Sequence, residues 1–212
     1  MFEQALPGNA KNSLAILGES KLLDTAYLAG GTALALQLGH RISVDFDFFT
    51  KKEFNEQETT EQLANLPEPF KLDRKEKNTI LGFIGKTKFS LFFYNYPLLE
   101  KPQKFLNINI ASLKDIAVMK LATIADRGTK RDFIDMYFIV AKEKAVSLQD
   151  ILWLYDKKFK MLSQNRAHLL KSLTYFDDAE ATIVPDMLKP TDWKEVKKFF
   201  EKETKRLAQQ EF

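Results

Sequence analysis

The sequence predicts an α+β protein: a mixed sheet with helices over residues 1–110, followed by a helical region over residues 111–212. Three observations carry this reading. A glycine pair, Gly30-Gly31, stands between a short apolar run and the helix-forming "TALALQL". Two runs rich in β-branched and aromatic residues, "NTILGFIG" and "KFSLFFYNY", flank a turn at residues 85–87. Three polar helix-start patterns, "SLKD" at Ser112, "TKRD" at Thr129 and "SLQD" at Ser147, all fall in the second half.

Taken in order, "NSLAILGESKLL" has helical apolar spacing and predicts an opening helix, and "AYLA" a brief strand before the glycine pair. Residues 32–38 predict a helix of two turns, closed by Gly39 as a C-terminal cap. "ISVDFDFF" alternates polar and apolar residues and predicts a strand. "TKKEFNEQETTEQLANLPEPF" holds a surface helix that ends before Pro67, and the two β-rich runs follow as a hairpin. After "LNINIA" the three helix starts follow one another. "SQNRAHLLKSLTYF" and "DWKEVKKFFEKETKRLAQQ" complete the helical part around the loop-like "DDAEATIVPDMLKPT".

Composition narrows the chemistry. A chain of 212 residues fits one large domain or two small ones, and 45% hydrophobic residues can form a sizeable core. No apolar run approaches the roughly 20 residues that cross a bilayer. The N-terminus has an acid and no basic cluster before its first apolar residues, unlike a signal peptide, so a cytoplasmic protein is expected. The absence of cysteine excludes disulfides, thiol nucleophiles and the usual structural zinc sites. With only His40 and His168, a three-histidine metal site is excluded too, and any metal must be held by oxygen. His40 reads as a turn residue and His168 as an ordinary helix position. Charges of 32 basic against 29 acidic residues are too balanced to indicate nucleic-acid binding without local patches.

The glycine pair and the aspartates of "SVDFDFF" together suggest a site. In a strand, Asp45 and Asp47 project from one face while Phe46 and Phe48 go to the other. Two like charges so placed call for a cation, and Mg²⁺, a hard ion often held by one or two carboxylates and substrate phosphates, is the natural one. Gly30 and Gly31, followed by Thr32 at the helix start, let backbone N–H groups approach an anion closely at the positive end of a helix. Arg41 and Ser43 lie near enough in the chain to reach phosphate oxygens. A Gly-Gly pair alone is often a turn, and an Asp-x-Asp alone is often a solvated edge. Joined by 13 residues that form a helix between two strands, they point to a nucleotide and its metal in one cleft. A metal-dependent nuclease or a sugar-nucleotide transferase can also use paired aspartates, but neither accounts for the glycine pair at this spacing.

"LAGGTALALQLGHRISVDFDFF" resembles the signature of the nucleotidyltransferase superfamily related to DNA polymerase beta. Together with "MKLATIADRGTKRDFIDMYFI" and "LTYFDDAEATIVPDMLKPTDWKEVKKFF", it resembles the AbiEii-type nucleotidyltransferase toxins of abortive-infection and toxin-antitoxin systems, over most of the chain. The resemblance implies Mg²⁺-dependent transfer of a nucleotidyl group from a nucleoside triphosphate to an acceptor, either RNA, tRNA included, or protein. A cognate antitoxin is an implied partner. It also implies catalytic roles for Lys120, Asp132 and Asp135 beside Asp45 and Asp47, with Lys120 reaching the triphosphate. From the residues alone, Lys120 reads equally as a snorkelling surface lysine and Asp132 as the capping-box acid of Thr129. Wider relatives carry a third carboxylate on a later strand, but "KFSLFFYNYPLL" offers none. Either a helix aspartate completes the metal site, or two carboxylates serve, or the protein is a catalytically silent nucleotide or partner binder of the same fold. The basic clusters at 156–160 and 193–206 are candidate RNA contacts, with a solvated helix face as the simpler reading.

Overall fold

The computed structural model describes residues 1–160 and 166–211. The chain divides into two compact units, Met1–Ser112 and Leu113–Phe212. In the first unit, α1 (Gly8–Ser20) precedes β1 (Ala26–Ala29), α2 (Gly30–Leu38) and β2 (Phe46–Thr50). Then come α3 (Glu56–Ala64), the meander β3 (Phe70–Glu76), β4 (Thr79–Ile84) and β5 (Thr87–Phe93), and the hairpin β6 (Gln103–Phe105) and β7 (Ile108–Ile110). Among the described residues the sheet has seven strands in the order β3-β4-β5-β2-β1-β7-β6. It is mixed: β1 runs antiparallel to β2 and parallel to β7, and β2 runs parallel to β5.

Cross-strand register sorts the side chains onto two faces, because directly paired residues point the same way. Phe46, Phe48, Phe89, Leu91, Ile80 and Ile84 fall on one face and are buried. The chain after α1 and the first turns of α3 meet this face at Ala26, Thr50 and Leu91, around a cavity of about 290 Å³. The opposite face carries Asp47 and Phe49 from β2, Ala29 and Tyr27 from β1, and Lys88, Ser90 and Phe92 from β5. Along it Tyr27 stacks on Phe49 at 6.0 Å, and Phe49 meets Phe92 in a tilted contact at 5.5 Å.

Two expectations are revised. The strand expected over residues 42–49 begins only at Phe46, because Asp45 and the residues before it are tied into a loop instead of the ladder: the Thr32 hydroxyl donates to the Asp45 carbonyl at 2.6 Å, and the Ser43 N–H donates to Ala5 at 3.1 Å. Residues 70–76 form β3, an edge strand absent from the sequence reading. Six of its seven residues are exposed, so it lacks the apolar alternation that marks a half-buried strand. The expected cap at Gly39 is present, in the left-handed region and with its N–H on Ala35.

One packing contact makes a sharp prediction. The β6–β7 turn at Leu106 and Asn107, both at positive φ, lies directly on Gly18 of α1, where any Cβ would collide with the Leu106 carbonyl oxygen. Gly18→Ala is therefore expected to cost about 1–3 kcal/mol, seen as a lower urea midpoint at unchanged slope.

The second unit comprises α4 (Leu113–Arg127), α5 (Lys130–Tyr137) with a π-helical turn at Phe138–Lys142, α6 (Leu148–Lys158), α7 (Arg166–Ser172), α8 (Asp177–Glu180) and α9 (Trp193–Glu211). α8 interrupts the stretch expected to be loop, and residues 163–165 of the helix expected over 163–176 lie outside the described residues. Phe133 of α5 anchors the apolar core, with Phe176, Phe200 and Trp193 rings at 5.1, 5.3 and 6.0 Å. α4 is joined to α6 by a fully buried ion pair, Lys158 Nζ to Asp115 at 2.8 Å. No helix among the described residues is long and apolar enough to cross a membrane.

Candidate active site

The glycine pair sits where the sheet delivers it. β1 ends at Ala29, which pairs with Asp47, so the first residues of α2 emerge beside that carboxylate. Gly30 has φ +66°, a conformation an L side chain adopts only with strain, and a Cβ there would lie 2.9 Å from Asp47 Oδ2. A Cβ on Gly31 would collide with Arg41 Nη2 and lie 3.2 Å from the Ser43 hydroxyl. Both glycines are thus required by close approach: the backbone of the first turn of α2 is pressed against a carboxylate on one side and a guanidinium on the other.

The surroundings hold these groups in place. The Thr32 hydroxyl donates to the Asp45 carbonyl at 2.6 Å and can accept from the Ser43 hydroxyl at 2.9 Å, which fixes the chain just before β2 against α2. Arg41 is buried at 3% exposure, with Nη1 on the Ile42 carbonyl at 3.0 Å. Ala29, the N-cap of α2, supplies no side-chain cap and the first turn has no acid, so its N–H groups and the helix dipole favour an anion there. Gly30, Gly31, Thr32, Arg41, Ser43, Asp45 and Asp47 are therefore gathered within the first unit.

Only oxygen donors are available for a cation at this place, and Asp45 and Asp47 are the residues that could hold one. The neighbour of Asp47 on β5 is Ser90, not a carboxylate. Among the described residues no group of three or more His, Asp or Glu converges on a possible metal position. The donor set suits an ion content with two protein carboxylates and further ligands from water or phosphate.

Within the second unit, α4 and α5 bring Lys120, Asp132 and Asp135 together. Lys120 Nζ lies 2.8 Å from Asp132 and 2.6 Å from Asp135, and all three residues are buried. The surface reading of Lys120 does not describe its position. The capping reading of Asp132 does: its second oxygen accepts from the Thr129 N–H at 3.1 Å and hydroxyl at 2.6 Å. Burial pushes the Asp132 carboxyl up, but the Lys120 charge and hydrogen bond, with those from Thr129, outweigh it and hold the group below its ordinary value. A carboxylate lowered by folding contributes stability above its unfolded value, near 3.9, and that stability is lost as pH falls through the lower folded value. Asp132→Asn is accordingly expected to flatten the acid side of the thermal stability profile, checked by melting the wild type and the variant from pH 7 down to pH 3.

Each basic cluster is partly engaged inside the chain. Lys158 points inward to Asp115, Asp156 pairs with Arg166, Lys197 with Glu180 and Arg206 with Glu203. His168 is exposed on α7, and His40 is buried next to the Gly39 cap.

Comparison with known proteins bears on the family and the fold. The family model described as nucleotidyl transferase AbiEii toxin, type IV TA system, matches residues 13–95 and 93–211. The uncharacterized protein aq_aa25 of Aquifex aeolicus (strain VF5) is 42% identical over 183 residues, covering 84% of this chain and 86% of that one. In fold, the chain resembles the nucleotidyltransferase toxin MenT4 of Mycobacterium tuberculosis, with a TM-score of 0.55 and 15% identity over 92% of this chain and 84% of that one. It also resembles JHP933 of Helicobacter pylori, with a TM-score of 0.50 and 20% identity over 98% and 100% of the two chains. By the extent of the family match and by this close relative, the chain belongs to the AbiEii nucleotidyltransferase toxin family.

Proposed function

We propose that the protein is a Mg²⁺-dependent enzyme that transfers a nucleotidyl group from a nucleoside triphosphate to an acceptor, either RNA, tRNA included, or protein, and so arrests growth. The observation that carries this is the fit around Gly30 and Gly31: two positions without room for a Cβ, between the Asp47 carboxylate and the Arg41 guanidinium, at an uncapped helix start. In this reading the first-turn N–H groups of α2, Arg41 and the Thr32 and Ser43 hydroxyls hold the triphosphate oxygens. Asp45 and Asp47 hold the ion, which when bound neutralises charge at the α-phosphate and makes an approaching hydroxyl a better nucleophile. The acceptor hydroxyl gives up its proton to solvent as its oxygen bonds to the α-phosphorus, the bond to the bridging oxygen of the β-phosphate breaks, and pyrophosphate leaves with that electron pair.

The same reading gives Lys120, Asp132 and Asp135 a catalytic part. Its support is energetic, since a helix contact made only for packing is built more cheaply from apolar residues than from three buried charges. An antitoxin partner is proposed from the type IV TA description of the family.

The test incubates the protein with Mg²⁺, α-phosphate-labelled triphosphates and total cellular RNA or protein, beside an Asp45→Ala, Asp47→Ala variant. Label in RNA or protein with wild type and none with the variant is expected, together with slowed growth on expressing the wild type alone. Triphosphate binding by both proteins without any label in either would leave a silent nucleotide binder instead.

A further inference from the structure

The face of the sheet that bears Asp47 continues past it as an exposed row of side chains. Lys88 of β5 lies two residues before Ser90, the partner of Asp47, and so shares its face. Lys88 pairs with Phe83 of β4, and Phe83 pairs with Lys71 of β3. Lys71, Phe83 and Lys88 therefore stand side by side on adjacent strands, lysine, phenylalanine, lysine, with all three exposed and Phe83 at 37%. The row is level with the start of β2, since Phe46, the residue after Asp45, pairs with Phe89, the residue after Lys88. With strands about 4.8 Å apart, Lys88, Phe83 and Lys71 lie roughly 5, 10 and 14 Å from the line of β2, in steps leading away from the two aspartates.

Phe83 stands apart from the buried residues of its own strand, Ile80 and Ile84, which face the other way. Between two lysines it offers what single-stranded nucleic acid binds: a ring for a base to stack on and cations for the phosphates on either side. Its continuity with the aspartates matters as much, because an acceptor must present its hydroxyl at β2 while the rest of its strand lies somewhere on the protein. We propose that Lys71, Phe83 and Lys88 form the track for the acceptor, which is a single-stranded RNA segment crossing β5, β4 and β3 with its reacting end at Asp45 and Asp47. This deepens the reading of the β2 site as a nucleotidyl-transfer centre and rests on it.

The test measures binding of a fluorescein-labelled single-stranded oligoribonucleotide of mixed sequence to the full chain by anisotropy over a range of KCl concentrations. Phe83→Ala is expected to weaken binding roughly 5- to 100-fold, the range of one lost base stack. Lys71→Ala with Lys88→Ala is expected to lower the slope of log affinity against log salt by about 1.4, since each contacted phosphate contributes about 0.7 for single strands. Lys75→Ala is the charge control: Lys75 pairs with Ile80 on the helix-covered face, hydrogen-bonds Gln57, and is expected to bind as the wild type does. Because all three track residues are exposed, these variants fold, and the labelling reaction reports a raised KM for RNA. Wild-type affinity, salt slope and RNA KM in the Phe83 and double-lysine variants overturn the track and leave the transferase reading standing. A wild type that labels protein and does not bind the oligoribonucleotide overturns the track and the RNA acceptor but not the transfer centre, and a wild type that labels neither RNA nor protein overturns both.

Discussion

Asp47→Asn is expected to lower nucleotidyl transfer by on the order of 10³-fold, the scale on which enzymes lose rate when one preorganised charge-stabilising group is removed. Asparagine keeps the shape and the contact with Gly30 but removes the negative charge that would hold a cation. Folding stability should then move by no more than about 0.5 kcal/mol, as for a half-buried isosteric change. Gly30→Ala attacks the same place from the other side. Its φ of +66° costs an L residue about 1–2 kcal/mol, and its Cβ crowds the Asp47 carboxylate at 2.9 Å. The two variants should therefore share a loss of turnover and differ in urea midpoint. Rates for Asp47→Asn within tenfold of wild type would remove Asp47 from the proposed metal site.

Lys120→Met is expected to destabilise the chain by about 3–5 kcal/mol, because it strands two buried carboxylates that the ammonium holds at 2.8 and 2.6 Å. Equilibrium unfolding in urea at pH 7 reads this directly. The diagnostic is the triple variant Lys120→Met, Asp132→Asn, Asp135→Asn, which removes the charges together and should recover much of the loss, since the penalty belongs to the unpaired charges and not to the missing lysine. Asp132 retains a cap interaction with Thr129 in the wild type, so recovery should stay incomplete by about 1 kcal/mol. A triple variant as unstable as the single one would show that unpaired carboxylates are not the source of the loss.

Local chemistry made the first unit readable. Gly39 at the end of α2 and the turn at Gly85 are interactions among near neighbours in the chain, and such residues announce themselves by type and spacing. β3 was hidden for the complementary reason: it is held by ladder bonds to β4, and its charged side chains carry no imprint of a sheet. Lys120 was ambiguous because a lysine on a helix looks alike whether it faces water or an aspartate 12 or 15 residues away. Lys158 was assigned to a basic surface cluster for the same reason, while its partner Asp115 lies 43 residues earlier.

The residue order alone established the α+β class, the helix between two strands, the glycine pair and the aspartates as one constellation, and the family. Each of these depends on periodicity or on short spacings, which the backbone converts to geometry through fixed rises and turns. Tertiary structure alone decided that Asp45 stands in a loop tied by Thr32, that Ser90 is the β5 neighbour of Asp47, that Lys120 is shared by two aspartates, and that Lys71, Phe83 and Lys88 form one row. These are matters of register and of contacts between distant segments. A shift of one residue in strand pairing would turn Phe83 to the other face without altering a single local preference.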